Sequence, residues 1–166
     1  MIVFRVTQTG PMPREVRKQL PLIKKKAFMA AGRFWHRYFR PKHFTAKGAR
    51  EYGYAPRKGE RGSGRAFKGS YTARKLKRFG HTRPLVYTGE SAQLARIMDV
   101  RGTSRGSRTV IHARGLNRRN PNSTINMRDE MTRISRGEVQ RLTKLISESL
   151  GDSMDKIQTR KTETIR

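Results

Sequence analysis

The stretch best supplied with side chains that could do binding chemistry is residues 42–80, where lysine and arginine alternate with glycines and aromatic residues. The aromatic residues in it are Phe44, Tyr52, Tyr54, Phe67, Tyr71 and Phe79. This composition is typical of contacts with single strands or RNA, because rings stack on bases while cations meet phosphates. It is equally the composition of a segment that docks on an acidic neighbour, or of a charged loop that is simply solvated. The residues alone give these three interpretations equal weight.

No catalytic or metal-binding constellation is predicted. The histidines are scattered, without zinc-ligand spacing, at His36, His43, His81 and His112. Only five carboxylates precede residue 126. This is a small number from which to build a paired acid–base site or a two-metal centre. Ser91 lacks the Gly-x-Ser-x-Gly context of a nucleophile elbow, and the glycines do not form a phosphate-binding P-loop. We therefore expect neither an enzyme nor a cofactor.

The charge of the chain predicts its kind of partner. The 166 residues suit a single domain, and with 34% hydrophobic residues the core is modest. The net charge is +27 and the pI is near 11.7, so we expect the chain to need a polyanion or an acidic protein surface. Residues 40–83 hold 14 Lys/Arg against two acidic residues, whereas residues 126–166 hold nine against seven. The basic excess therefore lies in the first half.

Cysteine usage and hydropathy predict a soluble protein made inside the cell. The chain has no cysteine, which excludes disulfides and thiolate chemistry and fits a reducing cytoplasm. The amino-terminal apolar run is too short for a signal peptide, and no window approaches the length of a membrane span. We expect no membrane among the partners.

Strand and helix patterns predict a mixed α+β fold. Residues 2–7 are strand-like, and spacings of three and four predict a helix over 14–39, kinked or begun at Pro21. We interpret that helix as a core element with a solvated basic face, in preference to one that contacts a polyanion. Segments 97–101 and 108–113 predict two strands joined by a hairpin connection.

The clearest element is a helix over residues 127–157, with Asn126 as its N-cap. If continuous, it would be roughly 46 Å long at about 1.5 Å per residue. We interpret its carboxylates Asp129, Glu130 and Glu138 as helix-start and solvent charges. Its apolar stripe predicts a packing element built on Met131, Ile134, Leu142, Leu145, Ile146 and Leu150. Residues 158–166 are predicted to be a flexible tail.

Residues 45–79 are predicted to form an extended basic, glycine-rich arm, mobile in the free protein and ordered in an assembly. The candidate contacts with a partner or with DNA are its basic and aromatic residues: Arg50, Tyr52, Tyr54, Arg57, Lys58, Arg61, Arg65, Lys68, Arg74, Lys75, Lys77 and Arg78.

An ordered junction is predicted to follow the arm. Pro84 pushes the residue before it toward an extended conformation, and Thr88 is a plausible N-cap for a helix that opens at Gly89. The alternative is an ordinary entry from a loop into a helix.

The junction also carries a resemblance. Pro84, Leu85, Val86, Thr88 and Gly89 resemble the PLV-x-TG signature of tailed-phage tail-completion and head–tail joining proteins, also called virion morphogenesis proteins. The similarity runs over most of residues 28–157. Besides the junction it includes the segment after Met127, and upstream of the junction Trp35, His43-Phe44, Tyr52-Gly53-Tyr54, Arg57, Lys75 and Gly80-His81.

This resemblance implies a structural protein of the virion, made in the host cytoplasm and placed at the head–tail junction. It implies a homo-oligomeric ring of six copies that touches the portal or connector on one side and the tail terminator or tube on the other. The basic arm would suit acidic partners or DNA passing through the lumen. The alternative is a basic nucleic-acid-binding protein of ribosomal or nucleoid type, which the charge supports directly.

Taken together, the sequence predicts one α+β domain over residues 1–157. In it a small antiparallel or mixed sheet, from residues 1–7, 96–101 and 108–114, packs against two long helices, and the arm extends from this core.

Overall fold

The computed structural model describes residues 14–60, 64–83, 85–86, 90–112 and 125–162. Their contacts divide the chain into two compact units. Unit 1 comprises the described residues of 14–37, 98–110 and 136–162, and unit 2 those of 38–97 and 111–135. The prediction of a single domain stays a prediction.

Unit 1 contains helix α1, Arg14–Phe34, strand β1, Asp99–Thr103, strand β2, Gly106–Val110, and helix α7, Arg136–Thr162. Helix α1 contacts both strands and α7, so the unit is built around it. The buried residues of α1 lie on one face of the helix, since each is three, four or seven positions from another of them: Val16, Ile23, Ala27, Phe28 and Ala31. From α7, Glu138, Leu142 and Ile146 are buried at four-residue spacing.

The two strands form an antiparallel hairpin that packs closely on α1. A Cβ atom on Gly32 would lie 2.8 Å from Val100 Cγ1 and 2.9 Å from Ser107 Oγ. A Cβ atom on Gly102 would lie 2.9 Å from the carbonyl oxygen of Lys25. The sheet face that carries Val100, Gly102 and Ser107 is therefore the one that meets the helix.

Unit 2 consists of short helices and turns, three of which begin at a side-chain cap. Following α1, a π-helical turn spans Trp35–Phe39, of which only the last two residues belong to unit 2, and a 3₁₀ turn spans Arg40–Phe44. The α-helices of unit 2 are α2 Ala46–Glu51, α3 Gly64–Lys68, α4 Tyr71–Phe79, α5 Glu90–Leu94 and α6 Met127–Met131.

Each of three caps is a side-chain oxygen that accepts a hydrogen bond from a backbone amide of the first turn. Thr45 caps α2, Ser70 caps α4, and Asn126 caps α6 with N–H···O distances of 3.1 and 3.3 Å. Helix α4 ends at Gly80, whose φ of 68° is the left-handed conformation that glycine adopts without strain. The prediction of Asn126 as an N-cap is thus confirmed.

The mixed α+β class, the long helices and the antiparallel hairpin are confirmed. The strand predicted over residues 2–7 falls outside the described residues. Of the tail predicted over residues 158–166, residues 158–162 belong to helix α7, and residues 163–166 fall outside the described residues. Pro21 lies within α1 and does not begin it, because the helix already starts at Arg14.

Two other expectations are corrected. The single helix expected over residues 127–157 is divided into α6 and α7, because residues 132–135 leave the helical path and Arg136 starts a new helix. The extended arm is not confirmed either. The described residues of 45–79 contain three helices, two of them capped by Thr45 and Ser70. Local hydrogen bonds thus give this polar segment an order that its low hydrophobicity did not predict.

None of the described helices combines the length and the apolar character that crossing a membrane requires.

Candidate functional site

The centre of unit 2 is a bidentate ion pair between Arg57 and Glu130. Arg57 Nη1 donates to Glu130 Oε1 at 2.9 Å and Nη2 to Oε2 at 2.5 Å, while the amide of Ala55 donates to the same carboxylate at 3.1 Å. The two side chains are 16% and 3% exposed. Burial acts to lower the pKa of Arg57, but the hydrogen bonds and charge of Glu130 outweigh it, so that pKa is raised. The charged form of Arg57 is therefore favoured by its contacts with Glu130.

A second arginine, Arg133, lies just after α6 and binds backbone carbonyl groups of the segment that contains Arg57. Arg133 Nη1 donates to the carbonyl oxygen of Tyr52 at 3.1 Å and also to that of Gly53. Glu130 and Arg133 together therefore bind both ends of the stretch from Tyr52 to Arg57. These contacts fix a loop of irregular backbone, since its polar groups are satisfied by charged side chains.

We call the contacts of Glu130 and Arg133 with the stretch from Tyr52 to Arg57 the clamp. His43 lies in an aromatic cluster beside it. Its ring is stacked on that of Tyr52, with centroids 3.9 Å apart and planes 2° from parallel, and its Nδ1 is 2.5 Å from the hydroxyl of Tyr54. His43 is fully buried. Burial is the main cause that lowers the pKa of His43 to about 4, and the charge of Arg40 acts in the same direction. A hydrogen bond with the backbone of Glu130 acts to raise this pKa but does not outweigh burial. The imidazole is therefore neutral at physiological pH.

Arg40 and Lys75 are further cations withdrawn from water in unit 2. Arg40 is only 1% exposed, and burial lowers its pKa to about 10. Burial, with a smaller effect from the charge of Arg57, lowers the pKa of Lys75 to about 8. The Nζ of Lys75 donates to the carbonyl oxygen of Arg83 and lies 5.9 Å from the centre of the Tyr71 ring. Arg40 thus stays charged at neutral pH, whereas Lys75 begins to lose its proton at a pH only slightly above neutral.

The exposed surface of unit 2 is strongly basic on α3 and α4, two helices in mutual contact. Tyr71 and Leu76 are also exposed on α4, at 39% and 42%. We call this surface the α3–α4 basic face, and its exposed cations are Arg65, Lys68, Arg74, Lys77 and Arg78. Such a face can attract a polyanion or an acidic protein surface by long-range electrostatics.

The structure separates the predicted arm residues into two groups. The first faces inward or is paired: Tyr52, Tyr54, Arg57 and Lys75. The second is exposed: Arg50, Lys58, Arg65, Lys68, Arg74, Lys77 and Arg78. Arg61 falls outside the described residues. The exposed group is the part of the prediction that stays available for a partner.

The predicted junction is described only in part. Val86 is 8% exposed, and Leu85 is half-buried with a φ of 55°, an uncommon conformation for a residue other than glycine. Pro84, Thr88 and Gly89 fall outside the described residues, so the proposed cap at Thr88 stays a prediction. The helix expected after the junction is present as α5.

The predicted packing residues are distributed over both units. Leu142 and Ile146 are buried in unit 1, where Leu145 and Leu150 are half-buried. In unit 2, Met131 is fully buried and Ile134 is half-buried.

Sequence reasoning missed the buried charges. Glu130 and Glu138 were expected to be helix-start and solvent charges. Each does lie in the first turn of a helix, but the expectation of solvent exposure is wrong, since each is 2% exposed. The pairing of Glu130 left no sequence signal, because 73 positions separate it from Arg57. The burial of Arg40 and the contacts of Arg133 with backbone carbonyls likewise depend on tertiary structure that no periodicity indicates.

Within the described ranges, no cluster of three or more histidine and carboxylate side chains could hold a metal ion. Comparison with protein-family models, with curated proteins and with solved structures found no match to this chain.

Proposed function

We propose that this protein is a structural component of a tailed-phage particle, a tail-completion protein that joins head and tail as a ring of six copies. The observation that carries the proposal is the clamp in unit 2. His43, Tyr52, Tyr54 and Arg57 belong to the residues by which the sequence resembles this family, and their contacts fix one loop. Residues that are shared with a family and serve the fold favour an architectural role over a catalytic one.

Three of the four described ionisable groups with shifted pKa values also support an architectural role. Arg57 bonds to Glu130, Lys75 bonds to a backbone carbonyl, and His43 bonds to a tyrosine hydroxyl. Each contact holds one segment of unit 2 against another. A reaction centre would instead aim such groups at a space where a substrate could sit.

In this proposal the α3–α4 basic face meets an acidic neighbour, either the portal or connector or the tail terminator or tube. Burial of the exposed Tyr71 and Leu76 among those cations would add apolar area to the electrostatic attraction. A homo-oligomeric ring would repeat the same contact around the tail axis, so that a modest contact per copy becomes a stable junction.

The experiment is a salt wash of particles that contain the chain. At about 1 M salt the Debye length is about 3 Å, so phosphate-bound proteins are stripped while buried protein interfaces persist. We expect the chain to stay with purified particles, and gold-labelled antibody against it to mark the neck. Release into the supernatant together with DNA would contradict the proposal.

A basic nucleic-acid-binding protein is the second candidate. It is favoured by Tyr71, whose exposed ring lies among the cations of α4 as in surfaces that stack bases. The double variant Arg74→Gln/Lys77→Gln separates the two. The second candidate expects it to lose nucleic-acid affinity with a reduced salt slope, whereas the structural proposal expects the loss to appear in particle assembly.

A further inference from the structure

The outer face of the β1–β2 hairpin carries two arginines directly opposite each other. In the antiparallel register Arg101 pairs with Arg108, while Val100 pairs with Thr109 and Gly102 with Ser107. Since side chains alternate between the two faces of a strand, Arg101 and Arg108 lie on the face turned away from α1. Both are exposed, and the side chain of Arg101 is 78% exposed.

Opposed like charges on neighbouring strands are destabilising, because their side chains are only about 5 Å apart at the Cβ atoms. Residues 98–110 contain three arginines and a single carboxylate, that of Asp99, which lies 3.4 Å from Arg101 Nε. One carboxylate cannot neutralise three guanidinium groups. The hairpin thus keeps a charge arrangement that weakens its own sheet, and an anionic ligand would remove that cost.

The third arginine, Arg105, is exposed in the connection between the strands, which the hydroxyl of Thr103 fixes. That hydroxyl accepts from the amide of Arg105 at 3.2 Å and donates to the carbonyl of Gly106 at 3.1 Å. The opposite face of the hairpin lies against α1 at Gly32 and Gly102 without room for a side chain. We call Arg101, Arg105 and Arg108 the hairpin arginines. Their backbone is fixed before any ligand arrives.

We infer that the hairpin arginines form a binding site for the phosphate backbone of double-stranded DNA. A two-stranded ribbon has the width that the major groove of B-DNA admits, and guanidinium groups bind phosphate oxygens in bidentate fashion. The major groove of A-form RNA is too deep and narrow for such a ribbon. The contact is independent of base sequence. The hairpin arginines belong to unit 1, whereas the α3–α4 basic face belongs to unit 2, and the inference holds with or without a place in a phage particle.

The test measures binding of the full chain to a labelled duplex of 20 base pairs by fluorescence anisotropy over a salt series. Each lost phosphate contact should reduce the slope of log K against log salt by about 0.9, so Arg101→Gln/Arg108→Gln should reduce it by about 1.8. The matched control is Arg136→Gln/Arg141→Gln, which removes the same charge from exposed positions of α7 in the same unit. The control should leave the slope within about 0.3 of the unsubstituted chain.

Thermal unfolding of the same variants separates lost binding from lost folding. Arg108→Glu places an acid opposite Arg101, so we expect it to raise the melting temperature while it abolishes the contribution of the hairpin to DNA affinity. A variant that is more stable and yet binds DNA more weakly cannot owe its defect to unfolding.

Three outcomes would overturn the inference. The first is a slope that falls equally in the hairpin variant and the α7 control, because the binding would then depend on net charge alone. The second is a larger loss of affinity for duplex RNA than for duplex DNA in the hairpin variant. The third is unchanged DNA binding with loss of binding to polyglutamate, which would assign the hairpin arginines to an acidic protein.

Discussion

Arg57 and Glu130 lie 73 positions apart in the chain and form a bidentate ion pair with a shortest N–O distance of 2.5 Å. Removing one partner leaves the other charged and largely buried, which typically costs about 3–5 kcal/mol. We expect Arg57→Met or Glu130→Gln to lower the free energy of unfolding by about 3 kcal/mol in urea titrations. The double variant Arg57→Met/Glu130→Met should recover much of this loss, because no unpaired charge remains.

The matched control is the exposed pair Lys144–Glu148, whose atoms are 3.8 Å apart and whose side chains are 64% and 58% exposed. Lys144→Gln should change stability by less than about 0.5 kcal/mol. If Glu130→Gln were as mild as this control, the clamp would not organise unit 2.

Two helical glycines should respond in opposite directions to the same substitution. A methyl group on Gly32 would meet Val100 and Ser107 at less than 3.0 Å. Around a Cβ on Gly151, by contrast, no heavy atom of the described residues lies within 4 Å, apart from the adjacent residues and the backbone of its own helix. Gly32→Ala should therefore destabilise by about 1–3 kcal/mol, and Gly151→Ala should stabilise by about 0.5–1 kcal/mol. Calorimetric melting of both variants measures this. Equal signs would mean that the hairpin does not pack on α1 as described.

His43 should make stability depend on acid. Its folded pKa of about 4 lies below the unfolded value of 6.5, so the unfolded chain takes up a proton first as the pH falls. The loss should run from pH 6.5 down to about 4 and approach about 3 kcal/mol, at 1.36 kcal/mol per pKa unit. The measurement is the stability difference between the unsubstituted chain and His43→Gln across this window. A difference that stays constant with pH would show that His43 is accessible to protons in the fold.

Lys75 should make stability rise with pH in the alkaline range, as His43 does in the acidic range. Its folded pKa of about 8 lies below the ordinary 10.5, so between these values the unfolded chain binds more protons and stability rises with pH. Lys75→Met should remove this rise, whereas Lys77→Met, at an exposed position of the same helix, should keep it. If the two variants gave parallel stability curves from pH 8 to 10.5, the burial of Lys75 would be disproved.

Local patterns predicted the elements but not their partners. The stripe of α1, the cap at Asn126 and the hairpin depend on spacing or on single residues, so the sequence carries them. The break between α6 and α7 was missed because the apolar stripe continues in register across residues 132–135. Apolar spacing tells which face is buried but not whether the backbone stays helical between two buried faces.

Of the candidate site in unit 2, only the exposed basic residues could be predicted from the sequence. Arg65, Arg74 and Lys77 are exposed, as expected of residues that could contact a partner. The ordered loop from Tyr52 to Arg57 was not predictable, because the carboxylate that fixes it comes from a distant helix. The opposition of Arg101 and Arg108 likewise follows from strand register, which composition does not reveal.

The measurement that tests the central claim most directly is an electron cryomicroscopy reconstruction of the neck of particles that contain this chain. Our account predicts a ring of six copies between the portal or connector and the tail, with the α3–α4 basic face against an acidic neighbour. A neck built without the chain, or the chain found only with packaged DNA inside the head, would contradict it.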